Sequence, residues 1–158
     1  MKRIILFLLL LSLTLSCLGC QGGTDAEHAF YYLRTENSIA YGKEDALIAA
    51  ESQDLGQDMD LEDILRLYLN GPAEEKLRSP FPKETQLLSV AEESETLTLV
   101  LSLEFSTLDG IQLTLAGACL TATCHDLTGI ETIRVCSGEN TYDFALSSFV
   151  LLDSSPEQ

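Results

Sequence analysis

Leu61-Glu62-Asp63-Ile64-Leu65-Arg66-Leu67-Tyr68-Leu69-Asn70-Gly71-Pro72 is the stretch on which the reading of this chain turns. Leu61, Ile64, Leu65 and Tyr68 recur at i, i+3, i+4 and i+7, the spacing that gathers side chains into one stripe of an α-helix. Asp60, just before it, carries a short carboxylate able to accept from an exposed N–H at a helix start. Asp63 adds a second negative charge in the positively polarised first turn. Asn70-Gly71-Pro72 ends the helix, because Gly tolerates a left-handed cap and Pro cannot continue. So short a helix is not stable alone, and its apolar stripe requires a surface supplied by the flanking sequence.

Towards the C-terminus, Ser79-Pro80-Phe81-Pro82 is an extended loop, since each residue before a proline is pushed away from the α region. Gln86 to Ala91 forms a strand, followed by the charged turn Glu92-Glu93-Ser94-Glu95. Leu97, Leu99, Leu101, Leu103 and Phe105 then alternate with Thr98, Val100, Ser102 and Glu104, which predicts one half-buried strand running through Phe105. Asp109-Gly110 opens a second helix from about Ile111 to Asp126, with Leu113, Ala116, Leu120, Cys124 and Leu127 on the face turned to a sheet. Gly129 closes it. Ile130 to Cys136 is a further strand, and the apolar run Phe149 to Leu152 adds an edge strand or packs back within a tail of residues 146–158.

Towards the N-terminus, Phe30 to Leu33 is a strand by β-propensity and Thr35-Glu36-Asn37 a turn. Ile39 to Tyr41 and Ala46 to Ala50 read as short extended runs, although the alanines also allow a helix over the second. Helices set between runs of strands in this order give an α+β fold. The expectation is a single two-layer domain over residues 29–145, with two helices on one face of a mixed sheet.

Residues 1–19 are of a different kind. Lys2 and Arg3 precede the apolar run Ile4 to Leu15, and the uncharged span from Ile4 to Gly19 is 16 residues. A helix needs roughly 20 to cross a bilayer, so this is an export signal rather than a permanent span. Leu18-Gly19-Cys20 resembles the lipobox of bacterial lipoproteins. The resemblance implies cleavage before Cys20 and a diacylglyceryl thioether on its sulfur, and two acyl chains hold a protein stably on a membrane. Cys17 stands where that box usually has Leu, which leaves Ser16-Cys17 as an alternative acceptor. Residues 20–28 are then the lipidated Cys20 and a polar tether that includes His28, on the extracytoplasmic face of the cell membrane.

Carboxylates outnumber cations 25 to 9, for a net charge of −16. Loss of residues 1–19 leaves 139 of 158 residues and, since both charges lost are basic, takes −16 to −18. Such a chain lacks the clustered Lys and Arg that phosphate binding requires, which excludes nucleic acid, and it is repelled by anionic lipid. With 46% apolar and 22% charged residues it has the composition of a folded domain rather than a disordered one.

The helix Leu61 to Asn70 with its Gly71-Pro72 stop, then Pro82, Leu87-Leu88-Ser89-Val90, the alternating strand to Phe105 and Gly129-Ile130-Glu131-Thr132-Ile133, together resemble the GerMN domain. That module belongs to sporulation and spore-germination lipoproteins of Gram-positive bacteria. The resemblance runs from Phe30 to Phe144 and departs at Thr123-Cys124, where the family usually has Thr-Leu. It implies a βαββαβ-like fold related to ring-building modules of secretion machinery, and a non-enzymatic role. The implied partners are envelope proteins or further copies of the chain.

Three cysteines and a histidine remain to be weighed. Cys119, Cys124, His125 and Cys136 could be taken for a Cys₃His zinc set. However, adjacent residues on a helix project about 100° apart, and no C-x₂-C spacing is present. Export to an oxidising compartment permits a disulfide, Cys119–Cys136 or Cys124–Cys136. The leading reading is three buried small hydrophobes. A thiolate nucleophile needs an adjacent base, and His28 in the tether and His125 at a helix end are poorly placed to serve. No Gly-x-Ser-x-Gly elbow or phosphate loop occurs. Asp54, Asp58, Asp60, Glu62 and Asp63 lack the central Gly and final Glu of a calcium loop. The sequence therefore assigns no catalytic, cofactor or metal residue. An exported accessory cell-wall (peptidoglycan) enzyme or binding protein is the contrasting possibility.

Overall fold

The computed structural model describes residues 28–35, 47–56 and 58–149. Cys17, Cys20, the export signal, the tether up to residue 27, the run Ile39 to Tyr41 and the residues from Val150 onward lie outside them. The described residues form strands β1 (His28–Arg34) and β2 (Ile48–Gln53), helix α1 (Leu61–Leu69), and strands β3 (Leu77–Arg78), β4 (Leu87–Glu93) and β5 (Thr96–Leu101). A 3₁₀ turn (Leu103–Thr107), helix α2 (Gly110–Thr128), strands β6 (Thr132–Ser137) and β7 (Asn140–Ala145) and a last 3₁₀ turn (Leu146–Ser148) follow. The fold is α+β with two helices, as expected.

The strands divide between two sheets. One has the order β2-β1-β3 and the other β4-β5-β6-β7, in which β5 and β6 run parallel with α2 as their crossover. The reason lies along β1. β3 pairs only with Leu33 and Arg34, which leaves the rest of that edge of β1 open to another donor or acceptor. Helix α2 takes the place. Thr123 Oγ1 accepts from the Tyr31 N–H at 2.9 Å, and the Asp126 carboxylate accepts from the Ala29 N–H at 3.0 Å. Side chains of the helix thus satisfy backbone groups that a further strand would otherwise pair, and the sheet stops there.

Helix α1 starts and stops as its sequence dictates. The Asp60 carboxylate accepts from the Asp63 N–H at 2.9 Å, and Gly71 takes φ 94° after the C-cap Asn70. Leu65 and Tyr68 are buried, and Arg66 reaches across to the Leu87 carbonyl at 2.8 Å, fastening the helix to β4. The loop beyond the helix is held by Glu51 of β2. Its buried carboxylate accepts from the Ala73 and Glu74 N–H groups at 2.9 and 2.8 Å and from Gln53 Nε2 at 3.0 Å.

Helix α2 departs from a simple amphipathic pattern. Ala116 and Leu120 are buried as predicted, but so is every residue from Ala116 to Thr121, because the helix is covered on more than one side. Small residues make this possible. A Cβ on Gly117 would stand 2.3 Å from the Phe144 ring of β7, so only glycine allows that approach. Where alternation predicted one strand through Phe105, β5 ends at Leu101. The 3₁₀ turn then leaves Leu103 66% exposed while returning Phe105 to the core.

Eight aromatic rings link the two sheets in one seam. Phe30, Tyr32 and Tyr68 cluster at centroid separations of 5.1 to 6.4 Å, and Tyr68 meets Phe81 at 5.4 Å. Phe81 continues to Phe105 (6.4 Å), then Tyr142 (5.8 Å), Phe144 (6.3 Å) and Phe149 (6.4 Å). Their hydroxyls tie α1 to β1: the Tyr32 hydroxyl donates to the Tyr68 carbonyl and the Tyr68 hydroxyl to the Tyr31 carbonyl. Burial raises the pKa of both phenols, so both remain neutral donors.

Candidate functional site

A cleft of about 350 Å³ opens between the β1–β3 end of the smaller sheet, the loop after β3 and the N-terminal half of α2. Five chain segments build it: Leu33 at the end of β1, Arg78 of β3, the loop Ser79-Pro80-Phe81-Pro82, the 3₁₀ turn at Thr107 with Leu108, and Gln112 and Leu115 of α2. The floor is apolar. Leu33, Pro80 and Phe81 are buried, and Phe81 is the same ring that joins the halves of the aromatic seam.

The loop is held rigidly. Two prolines fix their own φ and disfavour helix in the residues before them. The Ser79 hydroxyl accepts from the Phe81 N–H at 3.1 Å, and the Thr85 hydroxyl donates to the Pro82 carbonyl at 2.9 Å. Arg78 is exposed, supplies the only charge in the lining and makes no ion pair among the described residues. The N-terminus of α2 adjoins the lining at Gln112, and the Asp109 carboxylate makes no capping hydrogen bond there. Taken together, these features make the cleft a preformed groove with an apolar floor, polar walls at Ser79, Thr107 and Gln112, and one basic lip.

The sequence-level candidates fall elsewhere. Cys20 lies outside the described residues. Cys119 and Cys124 are fully buried in α2, and burial pushes both thiols up to about 12, which keeps them neutral and unreactive. Cys136 sits on the opposite side of its sheet. In β6, Ile133 and Val135 point into the core, so Cys136 points outward, where its Sγ lies 3.9 Å from Thr141 Oγ1. All three thiols are free, and a Cys119–Cys136 or Cys124–Cys136 bridge would have to cross the sheet. The same division keeps Cys136 away from any ligand set with Cys119 and Cys124. His28 is the first residue of β1 rather than part of a tether, and its Nδ1 lies 3.2 Å from Asp126.

Sequence reasoning did not find the cleft, because its lining comes from segments up to 82 positions apart, Leu33 to Leu115. One local signal was present. Lys76-Leu77-Arg78-Ser79-Pro80-Phe81-Pro82-Lys83 carries three cations and no carboxylate in a chain where carboxylates dominate.

The profile of the family "Germane: Sporulation and spore germination" matches residues 29–141. The chain belongs to the Germane family. Among solved structures it is similar to the first GerMN domain of the sporulation protein GerM from Bacillus subtilis. That likeness is at 15% identity and a TM-score of 0.54, over 73% of this chain and 85% of that one. A second, described as a lipoprotein from Clostridium perfringens, matches at 20% identity and a TM-score of 0.41, over 77% of this chain and 90% of that one. Among curated proteins no sequence matches. The GerMN assignment made from the helix and its Gly-Pro stop is therefore borne out, and the Germane domain includes every segment that lines the cleft.

Proposed function

We propose that this Germane protein is a lipid-anchored, extracytoplasmic interaction module that serves sporulation or spore germination without catalysing a reaction. The observation that carries the reading is the family match over residues 29–141. The export signal and the Leu18-Gly19-Cys20 box add the anchor, with Cys20 as the acylated residue. Envelope proteins or further copies of the chain are its partners, and the cell membrane holds it through the lipid. Neutral, buried Cys119 and Cys124 thiols and a groove with an apolar floor, polar walls and one arginine fit binding better than bond-making.

A deletion strain scored for spore yield and germination tests the role. The expected result is a defect restored by the wild-type chain and only poorly by Cys20→Ala. Labelled palmitate should enter the wild type and not Cys20→Ala. Normal sporulation and germination in the deletion strain would remove the role, and release of muropeptides by the purified protein would replace it with an enzymatic one.

A further inference from the structure

We infer that the cleft beside Arg78 binds an extended acidic segment of a partner protein. A carboxylate meets Arg78, and an apolar side chain lies on the floor made by Leu33, Phe81 and Leu108. The inference rests on the interaction-module reading and specifies its surface.

Charge is the first ground. Carboxylates outnumber cations 25 to 9 over the chain, yet the stretch Arg78 to Pro82 that forms one wall of the cleft carries a cation and no carboxylate. The one charge in the lining is therefore positive in a chain with a negative excess, and it favours a carboxylate over a cation at this wall. The first turn of α2 adds partial positive charge next to Gln112. Shape is the second ground. The Ser79 and Thr85 hydrogen bonds and the two prolines hold the groove open in advance, so binding carries little ordering cost on this side. Arg78 offers a planar fork suited to a carboxylate, and nothing among the described residues occupies it with an ion pair. The buried Leu33 and Phe81 supply apolar contact for the neighbouring side chain of the segment. A nucleic acid would share the negative sign, but the long-range repulsion of the chain's 25 carboxylates acts on every phosphate of a polymer.

The test uses the full-length protein in detergent micelles and fluorescein-labelled peptides of about ten residues, the length of one extended recognition segment. One peptide alternates Asp with Leu and Phe, a second has Asn for Asp, and a third has Lys for Asp. The acidic peptide should bind, and the Asn peptide should bind roughly tenfold more weakly, the worth of one charge-assisted hydrogen bond. Arg78→Gln and Arg78→Glu should weaken the acidic peptide by a similar factor, with unchanged thermal melting. Arg134→Gln, on β6, should leave it alone. Arg78→Glu should gain affinity for the Lys peptide, and Asp109→Asn should tighten the acidic one. Binding indifferent to both Arg78 variants, or a stronger response to an oligonucleotide, would overturn the inference. Photo-crosslinkers at Gln112 and at Thr141 on β7 separate the two readings in cells. Capture of an envelope protein at Thr141 and not at Gln112 sinks the cleft but leaves the module standing. Capture at neither sinks both. A crosslink from Gln112 into an acidic segment of another protein supports the inference, and one into a second copy of this chain overturns it.

Discussion

Cys119 and Cys124 show how position decides the chemistry of a residue type. Both lie in α2 with no exposed surface, and desolvation there disfavours the thiolate, raising each thiol from 9.0 to about 12. In the unfolded chain each thiol loses its proton near its ordinary value, so above pH 9 the folded state binds more protons than the unfolded one. Unfolding free energy must then fall as pH rises, by about 1.4 kcal/mol per pH unit for each thiol until about 12 is passed, and well below pH 9 these groups have no effect. Denaturant melts between about pH 8.5 and 9.5 report chiefly the thiols, because the ordinary value of the two buried tyrosines lies about a unit higher. Cys119→Ala and Cys124→Ala should each make the decline shallower, whatever the cavity costs at neutral pH. An unchanged slope in the double variant would show that the thiols are not what the pH dependence reports.

At the scale of elements, α2 works as a strand substitute as well as a helix, and two of its threonines separate the roles. Thr121 and Thr123 are both fully buried, but Thr123 accepts from the Tyr31 N–H whereas the Thr121 hydroxyl has no hydrogen-bond partner among the described residues. Thr123→Val keeps the shape and orphans a backbone donor on β1, which should cost about 1–3 kcal/mol. Thr121→Val removes an unsatisfied hydroxyl and should be neutral or stabilising by up to about 1 kcal/mol. Chemical denaturation of the two variants side by side checks this, and equal losses would mean that the β1 contact carries no weight. The contrast also marks how far the sequence could be read. Helix α1 was legible to the residue because Asp60, Asn70 and Gly71 write its ends locally. The double role of α2 was not, since the apolar spacing from Leu113 to Leu127 identifies one buried face and says nothing of the other. Alternation through Leu103 and Phe105 misplaced the end of β5, because apolar alternation carries no mark of where strand pairing stops, and the 3₁₀ turn that follows leaves Leu103 exposed. β3 escaped notice altogether: two residues have no periodicity, and Leu77–Arg78 are a strand only because Leu33 and Arg34 lie beside them. The cleft inherits that difficulty, as every one of its walls is tertiary.

For the whole molecule, the question is how two sheets unfold as one body. Two separate ties join them. The aromatic seam passes through Phe81, which touches Tyr68 on the α1 side and Phe105 on the side of the larger sheet. Helix α2 is the other tie, packed on β1 through Thr123 and Asp126 and against Phe144 of β7 at Gly117. Removing the Phe81 ring leaves a cavity in the seam and should cost about 3–5 kcal/mol. Because α2 still grips both sheets, the loss should not divide the domain. Phe81→Ala should therefore unfold in a single transition with an unchanged denaturant slope, at a lower midpoint. Native-state hydrogen exchange resolves the point at particular amides. Phe30 and Tyr32 of β1 and Leu99 and Leu101 of β5 should lose protection by the same free energy, since all four open only when both ties fail. If the β1 amides lose several kcal/mol while those of β5 keep theirs, the seam is the sole coupling and α2 belongs to the larger sheet. Equal losses show instead that the helix which closes the edge of β1 is also what makes the two sheets one cooperative unit.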